Sequence, residues 1–141
     1  MRVGQLLSHK GPDVWSIGAD DPVLEAIQIM ADRHVGALPV LRDGELVGIV
    51  SERDYARKVV LLGRSSAGTA VSQIMSSPVR TVAPDATVQH CMELMTEHRI
   101  RHLPVVDGGR MVGMISIGDC VRAVIEDQAE TIRHLERFIS S

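Results

Sequence analysis

Two kinds of apolar pattern alternate along the first half of this chain. Stripes that recur every three to four positions predict helices, and short continuous runs bounded by turn residues predict strands. Glycine, proline and aspartate separate the segments and mark the turns between them. In order, the pattern predicts a strand at 14–17, a helix at 22–34, strands at 37–41 and 46–50 joined by a hairpin turn, and a helix at 52–62.

The same pattern returns in the second half of the chain. Residues 20–59 align without a gap to residues 85–124, with 13 identities in the 40 positions. The apolar lead-in at 2–8 has an echo that begins at Val71. An internal repeat is the strongest available signal for fold. Each β-α-β-β-α repeat of about 60 residues is too small to bury its sheet well alone. We therefore expect an α/β (α+β) fold in which two tandem repeats pack with pseudo-two-fold symmetry.

The repeat also predicts the domain boundaries. Residues 1–63 form the first repeat with its lead-in, 64–70 a small and polar linker, and 71–141 the second repeat with an extended final helix. The stripe of this helix continues well beyond the end of its counterpart. That excess length either folds back over the protein or packs on another subunit. The stripe comprises Val121, Val124, Ile125, Gln128, Ala129, Ile132, Leu135, Phe138 and Ile139.

A short polar motif at the end of one strand is the candidate site. Each copy has the frame Gly-x-x-x-Gly-h-h-Ser-x-x-Asp, where h is apolar, and ends at Ser51 and Asp54 or at Ser116 and Asp119. A carboxylate at the start of a helix can accept two hydrogen bonds from a diol, and a serine beside it can donate or accept. The serines can equally be helix caps and the aspartates acids that favour the helix dipole. Because the whole frame repeats, we favour ligand binding.

Composition excludes several classes of protein. A net charge of −3 and only 2% aromatic residues argue against a nucleic-acid binder, which needs a basic surface and stacking rings. No apolar run approaches the roughly 18 residues that span a bilayer, so no membrane segment is predicted. The chain also lacks a signal-peptide pattern, and we expect a cytoplasmic location.

Neither catalytic nor metal-binding residues are predicted. The chain has no Ser-His-Asp order and no phosphate-cradling GxxxxGK[ST] motif, so we expect neither an enzyme nor a catalytic cofactor. His90, His98 and His102 have no carboxylate or cysteine placed to complete a metal site. Cys91 and Cys120 lack CxxC spacing and are expected to be structural thiols.

Taken together, these motifs resemble a known family. Two tandem β-α-β-β-α copies, each with Leu-Pro-Val before the Gly-x-x-x-Gly-h-h-Ser-x-x-Asp frame, resemble a pair of CBS domains, called a Bateman module. The segments Ser-Glu-Arg-Asp-Tyr-Ala-Arg-Lys and Arg-Ile-Arg-His-Leu-Pro-Val further resemble stand-alone bacterial CBS-pair proteins and their plant organellar relatives. The resemblance covers nearly the whole chain.

The resemblance implies two composite nucleotide pockets. In this family an aspartate holds the ribose diol, a hydroxyl and nearby residues reach ribose or phosphate, and the other repeat supplies the base pocket. One implied pocket joins Ser51, Arg53 and Asp54 to Ala83, Val88, Ile100, Arg101 and His102. The other joins Ser116, Gly118 and Asp119 to Gly18, Val23, Val35, Gly36 and Ala37.

The two implied pockets are not equivalent. Arg101 and His102 precede the second Leu-Pro-Val, where the first repeat has Gly36 and Ala37. Since an arginine offers a charge-assisted fork that glycine cannot, the pocket with Arg101 is better suited to a phosphate. Arg53 replaces the serine or threonine of some relatives and either helps to bind phosphate or partly blocks it.

The function implied is regulatory. Family members bind AMP, ADP, ATP, NAD or S-adenosylmethionine and pass the signal to a partner protein, and they commonly form homodimers. The resemblance thus implies an adenine-nucleotide sensor, a homodimer and an unidentified regulated protein. The alternative is a structural dimerisation domain whose pockets have degenerated and need no ligand.

Overall fold

The computed structural model of the chain describes residues 1–11 and 13–140. Pro12 and Ser141, the last residue of the predicted second domain, lie outside the described residues. The elements in chain order are α1 (Val3–Lys10), β1 (Ile17–Gly18), α2 (Val23–Arg33), β2 (Ala37–Arg42), β3 (Glu45–Ser51), α3 (Glu52–Tyr55) continued by a π-helical turn (Ala56–Val60), a 3-10 turn (Val71–Gln73), α4 (Val88–His98), β4 (His102–Asp107), β5 (Arg110–Ser116) and α5 (Ile117–Ser140). The fold is α+β, as predicted.

The chain divides into two compact units, and the boundaries of these units are not those of the two sequence repeats. One unit is Val14–Arg80, and the other joins Met1–Asp13 to Thr81–Ser141. We call them the central unit and the terminal unit. The predicted domains follow the sequence repeats, in which residues 1–13 lead into the first repeat and residues 71–80 begin the second. In the fold, each of these lead segments packs in the unit of the other repeat.

Backbone hydrogen bonds explain this exchange of lead segments. Val3 N donates to Ala86 O at 2.9 Å in the terminal unit, and Val71 N donates to Asp21 O at 2.9 Å in the central unit. Val3 and Val71 are both fully buried. An apolar lead segment therefore adds to the core of each unit, and no sequence pattern specified which repeat it would join.

The central unit contains a three-stranded sheet in the order β1-β2-β3. β2 and β3 form an antiparallel hairpin whose turn has positive φ at Asp43 (52°) and Gly44 (80°), the geometry of a type I′ turn. β1 pairs in parallel with Val40 and Leu41 and is shorter than the predicted strand at 14–17. Pro39, directly before the paired residues, has no N–H with which to extend the ladder.

The terminal unit contains a two-stranded sheet, β4-β5, in place of the three strands expected. At the position of the missing first strand, Val82 forms a single parallel bridge with Val105. A second hairpin turn with positive φ at Gly108 and Gly109 connects β4 to β5. Each unit has its own core of buried aliphatic side chains, with Leu38 central in one and Leu103 in the other.

The long α5 is buried only near its beginning. Asp119, Cys120 and Ala123 are its buried residues. From Ile125 onwards its large apolar side chains are exposed. None of the described helices combines the length and apolar character needed to cross a bilayer.

Candidate functional site

The Ser-x-x-Asp motifs form reciprocal capping boxes at the starts of two helices. Ser51 N donates to Asp54 Oδ2 at 3.0 Å, and Asp54 N donates to Ser51 Oγ at 3.2 Å. The corresponding distances for Ser116 and Asp119 are 2.9 and 3.1 Å. The capping role weighed from the sequence is therefore real. It also fixes both carboxylates at the strand ends where a ligand-binding role was predicted.

Asp119 lies in a network of positive charge. Lys10 Nζ donates to its Oδ2 at 2.8 Å, and Arg122 donates to its Oδ1 at 2.7 Å. Lys10 Nζ also donates to Met114 O at 2.7 Å, which anchors the ammonium group at the end of α1. Burial opposes ionisation of Asp119, but hydrogen bonds from Lys10 and Ser116 outweigh it and hold the pKa below its usual value. The carboxylate is therefore charged and paired.

Asp54 has a different arrangement around the same capping box. Ser51 Oγ donates to its Oδ2 at 3.0 Å, while Lys58 Nζ lies 3.4 Å from its Oδ1. Lys58 Nζ donates to Ile74 O at 2.9 Å. Lys58 aligns with Ala123 in the repeat, so the lysine beside each aspartate comes from a different element.

A cavity of about 320 Å³ lies beside Asp119 in the terminal unit. This volume is at the lower end of the range for small-molecule sites, about 300–1,000 Å³. Its lining contains both cationic and anionic side chains. The lining residues are Met1, Leu6, His9, Lys10, Asp119, Arg122, Ala123 and Glu126.

Strand pairing brings the residues before each Leu-Pro-Val next to a serine of the same unit. His102 pairs with Ser116, and Ile117 N donates to Arg101 O at 2.8 Å. Arg101 is exposed and His102 is half-buried. Burial, reinforced by the charge of Lys10, holds the pKa of His102 below its usual value. The terminal unit thus gathers His102 and two cations, Lys10 and Arg122, near the carboxylate of Asp119.

The central unit has the equivalent arrangement without those side chains. Ala37 pairs with Ser51, and Glu52 N donates to Gly36 O at 3.0 Å. Ala37 is buried and Gly36 is half-buried. The two units therefore differ in the residues beside these serines, and the predicted difference in phosphate binding between the two pockets stays a prediction.

The remaining predicted residues have varied surroundings. Val23 is the first residue of α2 and Val88 is the first residue of α4. The side chain of Val23 lies in the core of the central unit, and that of Val88 lies in the core of the terminal unit. Arg53 and Ala83 are exposed. Gly18, Val35, Ile100 and Gly118 are half-buried. Each unit gathers its own residues as described, and the predicted combination of residues from both repeats stays a prediction.

Sequence reasoning missed Lys10, Lys58 and Arg122. The spacing of Asp54 with Lys58 and of Asp119 with Arg122 is the i,i+4 or i,i+3 spacing of helical ion pairs and could have revealed both. Lys10 lies 109 residues from Asp119, and only the exchange of lead segments brings it there.

Within the described residues, no group of three or more His, Cys, Asp or Glu side chains could hold a metal ion. Cys91 and Cys120 are free and buried. Burial raises the pKa of both thiols, that of Cys120 to about 11. Both are therefore protonated and poor nucleophiles at neutral pH.

Comparison with known proteins identifies the family. The sequence profile of the CBS domain matches residues 3–61 and 71–126. The mitochondrial CBS domain-containing protein CBSX3 of Arabidopsis thaliana is 46% identical over 137 residues, which are 94% of this chain and 66% of the plant protein. This chain therefore spans about two thirds of that relative's length.

Solved structures agree with this assignment. A putative signal-transduction protein with CBS domains from Burkholderia ambifaria MC40-6 is 50% identical, with a TM-score of 0.87 over 91% of this chain and 96% of that one. The CBS domain pair of protein MJ0100, in complex with 5'-methylthioadenosine and S-adenosyl-L-methionine, is 26% identical, with a TM-score of 0.80 over 90% of this chain and 98% of that one. The present chain belongs to the CBS domain family and carries two CBS repeats in tandem.

Proposed function

We propose that this protein is a regulatory sensor of adenine nucleotides or related adenosyl compounds. The observation that carries the proposal is the buried carboxylate of Asp119, paired with Lys10 and Arg122 beside a cavity of about 320 Å³. A buried carboxylate at a helix start can accept hydrogen bonds from a ribose diol, and adjacent cations can bind phosphate. The adenosyl compounds bound to the related MJ0100 pair have the same diol.

The ion pairs of Asp119 determine which class of adenosyl ligand the proposed site should prefer. Both carboxylate oxygens already accept a hydrogen bond from a cation. A diol therefore shares them or displaces Lys10 or Arg122, and a displaced cation is then available for a phosphate. This exchange favours a phosphorylated ligand such as AMP, ADP, ATP or NAD over a neutral nucleoside.

The proposed output is regulatory and not catalytic. A ligand that prefers one arrangement of the protein shifts the population towards it, and a partner protein responds to that arrangement. The regulated protein is unidentified, and we propose that the sensor is a homodimer. A second candidate function, a structural dimerisation domain that needs no ligand, is favoured by the exposed apolar face of α5.

Isothermal titration calorimetry with AMP, ADP, ATP, NAD and S-adenosylmethionine tests the proposal. We expect saturable binding of at least one compound at or below millimolar concentration. The ligand bound tightest identifies the signal. Absence of binding across the panel would overturn the sensor and leave the structural dimerisation domain. Steady turnover of a bound nucleotide would instead make the protein an enzyme.

A further inference from the structure

We propose that the exposed face of α5 pairs in antiparallel orientation with the same face of a second copy of this chain. The inference specifies the surface and geometry of the proposed homodimer. It rests on that self-association and not on nucleotide binding.

The face has the heptad spacing of a coiled-coil seam. Its members alternate at intervals of four and three residues, and all are exposed in the single chain. The exposed fractions are 58% for Ile125, 55% for Ile132, 56% for Leu135 and 81% for Ile139. Five of the six members of this surface are apolar, and large exposed apolar patches mark interaction sites. The seam comprises Val121, Ile125, Gln128, Ile132, Leu135 and Ile139.

An antiparallel copy matches every layer of this seam. The pairs are Val121 with Ile139, Ile125 with Leu135, and Gln128 with Ile132, each formed twice about the two-fold axis. No layer is left over, so one helix face is complementary to itself. A closed two-fold contact of this kind buries the same surface on both copies.

Charges beside the seam select the antiparallel orientation. Arg122 and Glu136 both occupy the e position, and an antiparallel pair places e positions of the two copies on the same side, so Arg122 faces Glu136 of the second copy. A parallel pair would place Glu136 near Thr131 instead.

Sedimentation equilibrium tests the surface. We expect the wild type to have the mass of two 15.4 kDa chains and the double variant Ile132→Asp, Leu135→Asp to have the mass of one. The control Leu61→Asp changes a side chain that is 77% exposed in the central unit, and it should leave the mass unchanged. Circular dichroism verifies that the variants are folded.

The outcomes separate the surface from the sensor function. A seam variant with the wild-type mass, or a loss of mass with Leu61→Asp alone, would overturn the seam. A wild-type protein with the mass of one chain would overturn self-association altogether. Nucleotide titration of the same samples gives an independent result for the sensor.

Single cysteines test the orientation. In an antiparallel pair, an equimolar mixture of the Ile125→Cys and Leu135→Cys variants forms a disulfide-linked heterodimer on mild oxidation. In a parallel pair, each variant would crosslink to itself instead. The native thiols are buried and do not compete. Predominant heterodimer supports the proposal, and predominant homodimer, or no crosslink, overturns it.

Discussion

Asp54 and Asp119 occupy the same position of the repeat and make the same capping box, yet their cations come from different elements. Asp119 accepts from Lys10 of α1 and Arg122 of α5, whereas Asp54 has Lys58 from the π-helical turn. Arg57 is the aligned equivalent of Arg122. After the capping box, the chain is π-helical in the central unit and α-helical in the terminal unit, and the aspartate of each unit has a different ion pair. Single π-helical turns are frequent at functional sites.

The ion pairs of Asp119 predict a pH dependence of stability. The pKa of Asp119 is lower in the folded protein than in the unfolded chain, where it is about 3.9. The stabilisation from its ion pairs is therefore complete above the unfolded pKa and is lost as the pH falls through the folded pKa. Asp119→Asn should lower the free energy of unfolding at pH 7 by about 1.5–3 kcal/mol, the worth of hydrogen bonds to a charged group. The difference between wild type and variant should begin to shrink below about pH 4 and should continue to fall as the pH is lowered further.

Urea unfolding at a series of pH values measures this difference. The control is Asp32→Asn, which changes an exposed aspartate on α2. A constant difference between wild type and Asp119→Asn from pH 7 to pH 3 would contradict the assigned ion pairs.

At the scale of the secondary-structure elements, the packing of the lead segments explains why each repeat has a glycine inside a strand. A Cβ on Gly113 of β5 would lie 2.6 Å from Leu7 Cδ2, and a Cβ on Gly48 of β3 would collide with Met75. Leu7 and Met75 are equivalent residues of the two lead segments. The glycine thus makes room for a side chain that packs across the strand.

Gly113→Ala should therefore destabilise the protein. We expect a loss of about 1–3 kcal/mol in the free energy of unfolding, typical of overpacking a filled core. The matched control is Gly118→Ala in the first turn of α5, where the nearest atom would lie at an ordinary 3.5 Å. Its stability should stay the same or rise by up to about 1 kcal/mol, because alanine favours helix. Equal effects of the two changes in urea unfolding would refute the packing role of Gly113.

The sequence predicted the elements better than their packing. Periodicity located α2, both hairpins and the length of α5, because each depends on local residues. It also predicted a strand before the first helix of each repeat. In the first repeat this strand is reduced to Ile17 and Gly18, and in the second Val82 forms a single bridge in its place. The capping aspartates were predictable from their repetition. Lys10 was not, because its position depends on a long-range exchange that leaves no periodic signal.

At the scale of the whole molecule, the terminal unit is built from two separate stretches of sequence, and the central unit is the continuous stretch between them. Met1–Asp13 belongs to the terminal unit with the second repeat, although the chain connects it directly to the first. Its α1 adds buried Val3 and Leu6 to that core. The stability of the second repeat therefore depends on the first residues of the chain.

Deletion of residues 1–10 should destabilise the terminal unit selectively. The change removes two buried side chains and the hydrogen bonds of Val3 and Gly4 to Ala86 and Pro84. Hydrogen exchange followed by mass spectrometry should show faster exchange in α4, β4 and β5 and smaller changes in β2 and β3. Faster exchange mainly in β2 and β3 would contradict the division into units.

The central claim is that the capping aspartates bind an adenosyl ligand. The most direct measurement is calorimetric titration of the tightest ligand into wild type, Asp54→Asn, Asp119→Asn and the exposed control Asp32→Asn. Loss of a charged hydrogen-bond acceptor should cost at least about 1.4 kcal/mol, so we predict that Kd rises tenfold or more for one or both site variants. The control should keep the wild-type Kd. Saturable binding with the same Kd in all four proteins would contradict the account.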